Sequence, residues 1–156
     1  MVIVEITPAS IRFAAMNLLS MREHSAMELY KKLTKKYQQP DLIAATIKRL
    51  TEDDLQSDTR FAAAYIGMRK RQGKGPLLIN MELKERGVST ELISNFLEPE
   101  DHGWKTLAGV VRQKKFGSIL PVDMKEKAKQ IRFLAARGFN SACIQHALKC
   151  SEEYDF

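Results

Sequence analysis

The chain has 156 residues, 44% of them hydrophobic, and its 25 Lys and Arg outnumber 19 Asp and Glu to give a net charge of +6. This apolar content indicates a folded chain, yet no apolar run approaches the roughly 20 residues of a membrane span, so no membrane contact is expected. The opening MVIVEI is short, lacks a basic leader and has no small-residue cleavage site after it, which excludes a secretory signal and favours the cytoplasm.

Residues 1–9 are predicted to be an N-terminal lead, either a short strand or unstructured, and residues 10–55 a first unit of three helices. Ser25 and Glu28 have the spacing of a capping box, in which each side chain satisfies a backbone N–H at a helix start. Pro40 ends that second helix and starts a third. The predicted core positions recur at helical spacing: Ile11, Ala14, Ala15, Leu18, Leu19, Leu29, Leu33, Leu42, Ile43, Ile47 and Leu50.

Residues 56–99 form a second predicted unit, which contains the clearest stretch of the chain, KGPLLINMELKERGVSTELISNFL at positions 74–97. Pro76 suits the first turn of a helix, Gly87 closes that helix in a left-handed conformation, and Ser89 caps the next one. The apolar faces of this unit are predicted at Phe61, Ala62, Tyr65, Ile66, Ile79, Leu83, Leu92, Ile93, Phe96 and Leu97. The wetter side of the helix that ends at Gly87 is predicted to carry Glu82, Lys84, Glu85 and Arg86.

Residues 100–150 form the third predicted unit, and residues 151–156 an acidic tail, SEEYDF. The polar link EPEDHG at positions 98–103 is the clearest candidate for a hinge or unit boundary. Asp123 with Glu126 repeats the capping-box spacing, and Gly138 closes a helix as Gly87 does. The predicted core of the unit comprises Trp104, Leu107, Val110, Val111, Ala128, Ile131, Leu134, Ala135, Ile144 and Leu148.

The same pattern of apolar residues and glycine recurs along the chain. Leu134, Gly138, Ile144 and Leu148 repeat Leu83, Gly87, Ile93 and Leu97 at an offset of 51 residues (134 minus 83). Leu33, Ile43 and Ile47 match the same set at an offset of 50 (83 minus 33), although Tyr37 stands where the glycine is expected. Because short helical units bury against their neighbours, the repeat predicts an all-α fold of tandem three-helix repeats stacked into an elongated, curved array.

The residue types that carry catalysis or bind metals are present but not grouped in the sequence. His24, His102 and His146 lie far apart and lack carboxylate or Cys partners at ligand spacing, so surface roles are expected. Cys143 and Cys150, spaced by seven residues, are expected to be inert thiols. The sequence GKG at positions 73–75 follows no predicted strand, and its Lys is not followed by Ser or Thr, which discounts a phosphate loop. We therefore expect neither an enzyme nor a cofactor or metal site.

Basic residues are concentrated in three short runs, one in each repeat. A single run is most often a solvated helix face, but three runs at repeat spacing would give a polyanion one basic patch after another, and phosphate contacts of this kind supply affinity without sequence preference. The central predicted contact comprises Arg69, Lys70, Arg71 and Lys74. The flanking contacts are Lys31, Lys32, Lys35 and Lys36 in the first repeat and Arg112, Lys114 and Lys115 in the third.

Several segments of the chain resemble the bacterial RecX family of regulatory proteins, the small modulators of the RecA recombinase. The stretch at positions 74–97 is similar to the family's Gly-Pro, Ile, Glu-Leu pattern and its glycine helix end. The turn MREHS at positions 21–25 precedes Glu28-Leu29, as the family's Arg and Ser precede Glu-Leu, and RFLAARGFNSACIQHAL at positions 132–148 fits its Arg-Gly-Phe ending. The resemblance covers nearly the whole chain, from about Ser10 to Lys149, and Tyr37 departs from it.

This resemblance implies a protein that binds RecA filaments on single-stranded DNA and limits their extension, ATP hydrolysis and strand exchange. A curved, basic, all-helical array is suited to lying in the groove of such a filament, and we expect a monomer that acts without enzymatic activity. Contact with the DNA is expected to be weak, or to occur through the filament. Two alternatives remain open at the level of the sequence. One is a helix-turn-helix regulator that reads duplex DNA, for which Ser89-Thr90-Glu91 is a poor helix start. The other is a helical interaction scaffold without nucleic-acid contact.

Overall fold

The computed structural model describes residues 6–98 and 100–149, and within these ranges the regular elements are nine α-helices. In chain order they are α1 Pro8–Met21, α2 Ala26–Lys36, α3 Pro40–Glu52, α4 Asp58–Arg71, α5 Pro76–Glu85, α6 Thr90–Phe96, α7 His102–Phe116, α8 Met124–Ala136 and α9 Ser141–Lys149. The described part of the chain contains no strand, which confirms the prediction of an all-α fold. None of its helices is long and apolar enough to cross a membrane.

Polar side chains cap the starts of α1, α2 and α8, and the caps of α2 and α8 lie at the positions that the sequence indicates. The Ser25 hydroxyl accepts from the backbone N–H of Glu28 at 3.0 Å, and the Glu28 carboxylate accepts from the N–H of Ser25 at 3.1 Å. Thr7 and Ser10 form a second capping box at the start of α1, which was not predicted from the sequence. Asp123 accepts from the N–H of Glu126 at 2.7 Å and so caps α8. These bonds satisfy backbone donors that have no partner within the helix.

The first three helices contact one another around an apolar core. The buried members of this core are Ile11, Ala15, Leu29, Leu33, Ile43, Ile47 and Leu50, and partly buried Ala14, Leu18, Leu19 and Leu42 pack against them. Helices α7, α8 and α9 likewise contact one another, with Trp104, Val111, Leu134 and Ile144 among their buried residues. Tandem three-helix packing therefore follows from the apolar spacing that the sequence shows.

The repeat identified in the sequence is also a repeat of backbone conformation. Leu33, Leu83 and Leu134 are all at most 2% exposed. Gly87 and Gly138 both adopt a positive φ, +81° and +97°, in the left-handed region that glycine favours. Tyr37 has an extended conformation instead, with φ −120°, so α2 ends without a left-handed residue and α3 follows after a short link. This conformation explains how the first repeat accommodates a bulky residue at the glycine position.

The chain divides into two compact units, Met1–Ala64 with Lys84–Leu92 and Tyr65–Leu83 with Ile93–Phe156. Helix α4 begins in the first unit and continues into the second. The C-terminal end of α5 lies in the first unit, and that of α8 lies in the second.

Among the residues assigned to the apolar and wetter faces of the helices, four differ from their predicted burial. Glu82, predicted on the wetter side of α5, is 8% exposed because Tyr65 and Arg69 supply hydrogen-bond donors to its carboxylate. Phe96 and Ile131, predicted as core residues, are 42% and 43% exposed, and Ala135 is exposed as well. Helical spacing gives the face of a residue but not how far a neighbouring helix extends over that face. The predictions for residues 1–5, Pro99, Cys150 and the tail at 151–156 fall outside the described residues.

Candidate functional site

A basic groove lies between the C-terminal end of α4 and helices α7 and α8. Its volume is ≈ 310 Å³, and it is lined by Lys70, Arg71, Gln72, Gly73, Leu107, Val110, Val111, Lys114, Lys115, Phe133 and Arg137. All of these residues belong to one compact unit. Two of the basic runs predicted from the sequence, the central run and the run in the third repeat, therefore each contribute two cations to one groove. The lining residues include five cations and no carboxylate, which favours an anionic ligand.

Aromatic rings support the cations of this basic groove. The Lys70 Nζ lies 4.6 Å from the centroid of the Trp104 ring. The Lys115 Nζ and the Arg137 guanidinium lie 5.7 Å and 5.1 Å from the centroid of Phe133. Phe116 packs edge to face on Phe133, with the ring centroids 5.2 Å apart. Because ring faces attract cations, these contacts restrict the positions of the charged groups. The side chains therefore lose less conformational entropy when an anion binds.

Arg137 also lines the groove and was not predicted from the sequence. It follows α8, and its Nη1 donates to the carbonyl oxygen of Gln72 at 3.1 Å, which ties it to the link after α4. Its own carbonyl accepts from the N–H of Gly75 at 2.7 Å. The residue stands alone in sequence, outside the basic runs, so a search for such runs could not find it. Its one sequence signal is its place directly before the repeat glycine Gly138, and the contact with Gln72 that brings it to the groove joins segments 65 residues apart.

Lys74 lies beside the groove and is partly buried. Burial lowers the pKa of its ammonium group, and the positive charges of Arg137 and Arg69 lower that pKa further. A bound anion would relieve the repulsion among these cations, because each like charge nearby raises the cost of the protonated form. Lys74 directly follows Gly73, which lines the groove with Lys70 and Arg71, and its part in the contact stays a prediction.

Arg69, predicted in the same central contact, points instead into the protein. Its Nη2 lies 2.6 Å from the Glu82 Oε1, its Nη1 donates to Gln72, and the Tyr65 hydroxyl donates to the other Glu82 oxygen. The hydrogen bond to Glu82 raises the pKa of Arg69. Its side chain is 22% exposed, so we assign it to the fold and not to a surface contact.

Arg112 is also placed differently from its predicted surface contact, because it is only 2% exposed. Its guanidinium donates to the carbonyl oxygen of Gly117 at 3.2 Å and lies 3.4 Å from the Gln130 Oε1 and 3.5 Å from the carbonyl oxygen of Ile119. The position of Arg112 on the buried face of α7 makes it a support for the link that follows. A run of basic letters cannot distinguish this residue from Lys114 and Lys115 on the exposed face.

The lysine run of the first repeat lies on α2, in the other compact unit. Lys31, Lys32, Lys35 and Lys36 are all exposed, and the Lys36 Nζ lies 5.4 Å from the centroid of Tyr37. Lys32 already has a partner within the protein, since its Nζ lies 3.0 Å from the His24 Nε2. This run forms a basic face on α2.

The histidines do not form a chemical site within the described residues. His24 is 1% exposed, in contrast to its predicted surface role. His102 begins α7, and its ring lies 5.9 Å from that of His146, so two residues far apart in sequence meet in space. Nonetheless, over residues 6–98 and 100–149 no three His, Cys, Asp or Glu side chains are grouped to hold a metal ion. Cys143 is buried, and burial raises the pKa of its thiol, which disfavours the reactive thiolate.

Family models for three consecutive three-helix domains of RecX match this chain. The first three-helix domain matches residues 12–50, the second residues 57–97 and the third residues 107–148. Each matched range contains parts of three of the helices described above. The similarity therefore covers most of the chain in the order in which the family arranges its domains.

Curated relatives and solved structures agree with these matches. The chain is 40% identical to the regulatory protein RecX of Pseudomonas syringae over 85% of this chain and 86% of that protein. It is 34% identical to the regulatory protein RecX of Halorhodospira halophila over 94% of this chain and 91% of that protein. The crystal structure of RecX from Lactobacillus salivarius superposes with a TM-score of 0.76 at 20% identity, covering 91% of this chain and 94% of that chain. This last comparison concerns the fold.

Proposed function

The chain belongs to the RecX family of regulatory proteins, and on that premise we propose that it restrains a RecA-type recombinase by binding the recombinase filament on single-stranded DNA. The observation that carries this proposal is the basic groove, where Lys70, Arg71, Lys114, Lys115 and Arg137 surround one cavity. The phosphates of a DNA strand within the filament are the anions that this groove would bind. The resemblance to modulators of RecA supports the choice of filament over free DNA.

The groove suits the backbone of a nucleic acid better than its base edges. Lys and Arg side chains dominate its polar lining, and such residues contact phosphates without reading sequence. The alternative of a helix-turn-helix reader would place the start of α6 in a major groove, but that first turn carries Glu91, which a phosphate backbone repels. A regulator that acts along any single-stranded DNA does not require base readout.

Binding of this kind would be stoichiometric. The protein would limit filament extension, ATP hydrolysis and strand exchange in proportion to the filament sites that it occupies, and dilution would reverse the effect. Inhibition of RecA ATP hydrolysis measured against the concentration of this protein, with recovery on dilution, checks this expectation. Inhibition that persists after the protein has been removed, or a covalent change left in RecA or the DNA, would contradict it.

The decisive experiment is a salt titration of binding to labelled oligothymidine, bare and coated with RecA. The quadruple variant Lys70→Gln, Arg71→Gln, Lys114→Gln and Lys115→Gln should bind more weakly, with a salt slope smaller by about 0.7 for each phosphate no longer neutralised on single-stranded DNA. The pair Lys114→Gln and Lys115→Gln should show part of this decrease, whereas the equally charged control pair Lys48→Gln and Lys84→Gln should bind as the parent does. A quadruple variant that melts normally and keeps both the affinity and the slope would refute the assignment of the groove.

The lysines of α2 are tested separately, because they lie in the other compact unit. Replacing Lys31, Lys35 and Lys36 by Gln leaves the contact between Lys32 and His24 in place. A reduced salt slope in this variant would assign a second phosphate contact to α2. An unchanged slope would leave these lysines as a solvated helix face.

A further inference from the structure

The link between α7 and α8 differs from its counterparts in the other two repeats. Residues 117–123 connect these helices, whereas residues 22–25 and 72–75 make the corresponding connections between α1 and α2 and between α4 and α5. The third link is thus three residues longer. A four-residue link is sufficient to join the first two helices of a repeat, so the three-helix fold does not require the longer link.

The longer link exposes large aliphatic side chains. Ile119 is 83% exposed, Val122 is 89% exposed, and Met124, the first residue of α8, is 81% exposed. Isolated exposed apolar residues are ordinary on a protein surface, but three within six residues of one loop form a concentrated apolar tip. We call residues 117–124 the apolar loop.

The apolar loop is held by a buried arginine. Arg112 donates to the carbonyl oxygen of Gly117 and approaches that of Ile119, and its other contact, Gln130, lies on α8. Gly117 itself has φ +86°, a conformation that turns the chain out of α7 and that other residues rarely adopt. Burying a guanidinium is costly unless it is well hydrogen-bonded, so these bonds both stabilise Arg112 and fix the start of the loop.

Neither feature has a counterpart at the equivalent places of the other two repeats. Arg112 lies four residues before the end of α7, and the same places in α4 and α1 hold Gly67 and Asn17. The buried arginine and the long apolar link therefore occur together, in one repeat out of three. Their joint presence points to a role of the loop beyond folding.

We infer that the apolar loop contacts the protein subunits of the filament, inserting Ile119, Val122 and Met124 into an apolar pocket bordered by carboxylates. This inference rests on the proposed function. It assigns the basic groove to the DNA phosphates of the filament and the apolar loop to the protein subunits. Exposed Lys114, Lys115 and Lys125 flank the loop. Asp123, which caps α8, and Glu126, which accepts from Gln130, keep their negative charges beside the loop. The three lysines outnumber these two carboxylates, so the rim of the loop carries a net positive charge, which is complementary to carboxylates.

Aliphatic side chains favour a protein pocket over single-stranded bases. Proteins bind unpaired bases by stacking them on aromatic rings, and Ile, Val and Met offer no such face. Aliphatic wedges can instead enter a base step of duplex DNA, where they kink the helix. Insertion into duplex DNA is therefore the competing role that an experiment has to distinguish.

The test uses the full chain with the triple substitution Ile119→Ser, Val122→Ser and Met124→Ser. A matched control, Phe13→Ser with Met21→Ser, removes apolar side chains on α1 that are 69% and 81% exposed. Each protein is titrated against bare oligothymidine, a bare DNA duplex and RecA filaments on oligothymidine. Thermal melts should show no change, because every substituted side chain is already in solvent.

We expect the triple variant to bind the filament at least tenfold more weakly while its affinity for both bare DNAs and its salt slope stay at parental values. The control should match the parent in every titration. Unchanged filament affinity of the triple variant would overturn the role of the loop and leave the basic groove unaffected. A weaker affinity for the bare duplex would also overturn it, by assigning the loop to DNA. If the parent itself does not bind the filament, the proposed function fails first.

Discussion

Gly75 and Gly138 lie against each other backbone to backbone, so closely that a Cβ atom on Gly75 would stand 2.5 Å from both the carbonyl carbon and the carbonyl oxygen of Gly138. Two hydrogen bonds join the same segments. The N–H of Gly75 donates to the Arg137 carbonyl at 2.7 Å, and the N–H of Leu77 donates to the Gly138 carbonyl at 3.0 Å. The end of α8 is thereby fixed to the start of α5, and Arg137 is held beside the basic groove.

The first and second repeats meet in the same way. The Ser25 hydroxyl donates to the carbonyl of Arg86 at 2.7 Å, and a Cβ on Gly87 would stand 2.7 Å from the Cβ of Met27. Ser25 and Gly75 are 50 residues apart, and Arg86 and Arg137 are 51 apart (75 minus 25, and 137 minus 86). Two separate constraints therefore favour glycine at Gly87 and Gly138: the positive φ of the backbone and the close approach to the preceding repeat.

Replacing Gly138 by Ala should destabilise the protein by more than the 1 to 2 kcal/mol or so that a left-handed residue costs. The new methyl group would lie 2.4 Å from the Cβ of Leu78, a side-chain atom fixed to the backbone. Gly67→Ala is the control. It lies inside α4 with only the end of the Arg71 side chain nearby, so it should stabilise the protein by roughly 1 kcal/mol. Urea unfolding measures both, and equal stabilities would refute the close-contact interpretation.

Leu83→Ala should cost ~2–5 kcal/mol, since the side chain is fully buried at the centre of the repeat pattern. Leu77→Ala, on the same helix but 49% exposed, should cost much less. Thermal melts of the parent and the two variants compare their stabilities. Indistinguishable melts would mean that the repeated leucine does not define a core position.

The helices, their caps and the repeat glycines could be predicted because each depends on nearby residues. Ser25 with Glu28, Gly87 and Leu83 are examples in which the local spacing correctly predicts a cap, a left-handed residue and a buried position. The candidate site could be predicted only in part. Lys70 and Lys114 are visible as members of basic runs, but the burial of Arg112 depends on which face of α7 is covered. The place of Arg137 in the groove depends on a contact between segments 65 residues apart in sequence.

Glu82→Gln should lower the stability by roughly 2 to 3 kcal/mol, because it leaves the partly buried Arg69 guanidinium without its carboxylate. Glu85→Gln on the exposed side of α5 is the control and should change the stability by about 0.5 kcal/mol or less. Arg69→Gln should resemble Glu82→Gln in a thermal melt and yet keep the parental salt slope for oligothymidine. A flattened slope with Arg69→Gln would return that residue to the phosphate contact predicted from the sequence.

The stability of the protein should fall as the pH is lowered from 7.5 to 5.5, because His24 is held neutral in the folded state. Its Nδ1–H donates to the carbonyl of Arg22 at 3.0 Å, and its Nε2 accepts from the Lys32 ammonium at 3.0 Å. Burial lowers the pKa of His24, and the charges of Arg22 and Lys32 lower it further against the backbone hydrogen bond, which raises it.

The direction of this effect follows from proton uptake. In the unfolded chain His24 protonates near its ordinary pKa of about 6.5, whereas the folded protein resists protonation until a lower pH, so the unfolded state binds more protons in between. The contribution of neutral His24 to the free energy of unfolding is fully present above about pH 6.5. At lower pH the free energy of unfolding decreases by up to about 1.4 kcal/mol for each pH unit. The neighbouring Glu28 does not produce this change. Burial raises its pKa, but the hydrogen bonds from Arg22 and Ser25 outweigh burial and keep that pKa below its usual value, so Glu28 titrates at more acid pH.

Urea unfolding at several pH values between 5.5 and 7.5 measures the slope of the free energy of unfolding against pH. His24→Gln can keep a neutral donor and acceptor at the same place but cannot be protonated, so its stability should be lower than that of the parent at pH 7.5 and less dependent on pH. The control His102→Gln with His146→Gln removes the other two histidines of the chain and should keep the parental slope. If the slope disappears in the control and persists in His24→Gln, the pair of rings on α7 and α9 carries the pH dependence, and the buried His24 does not.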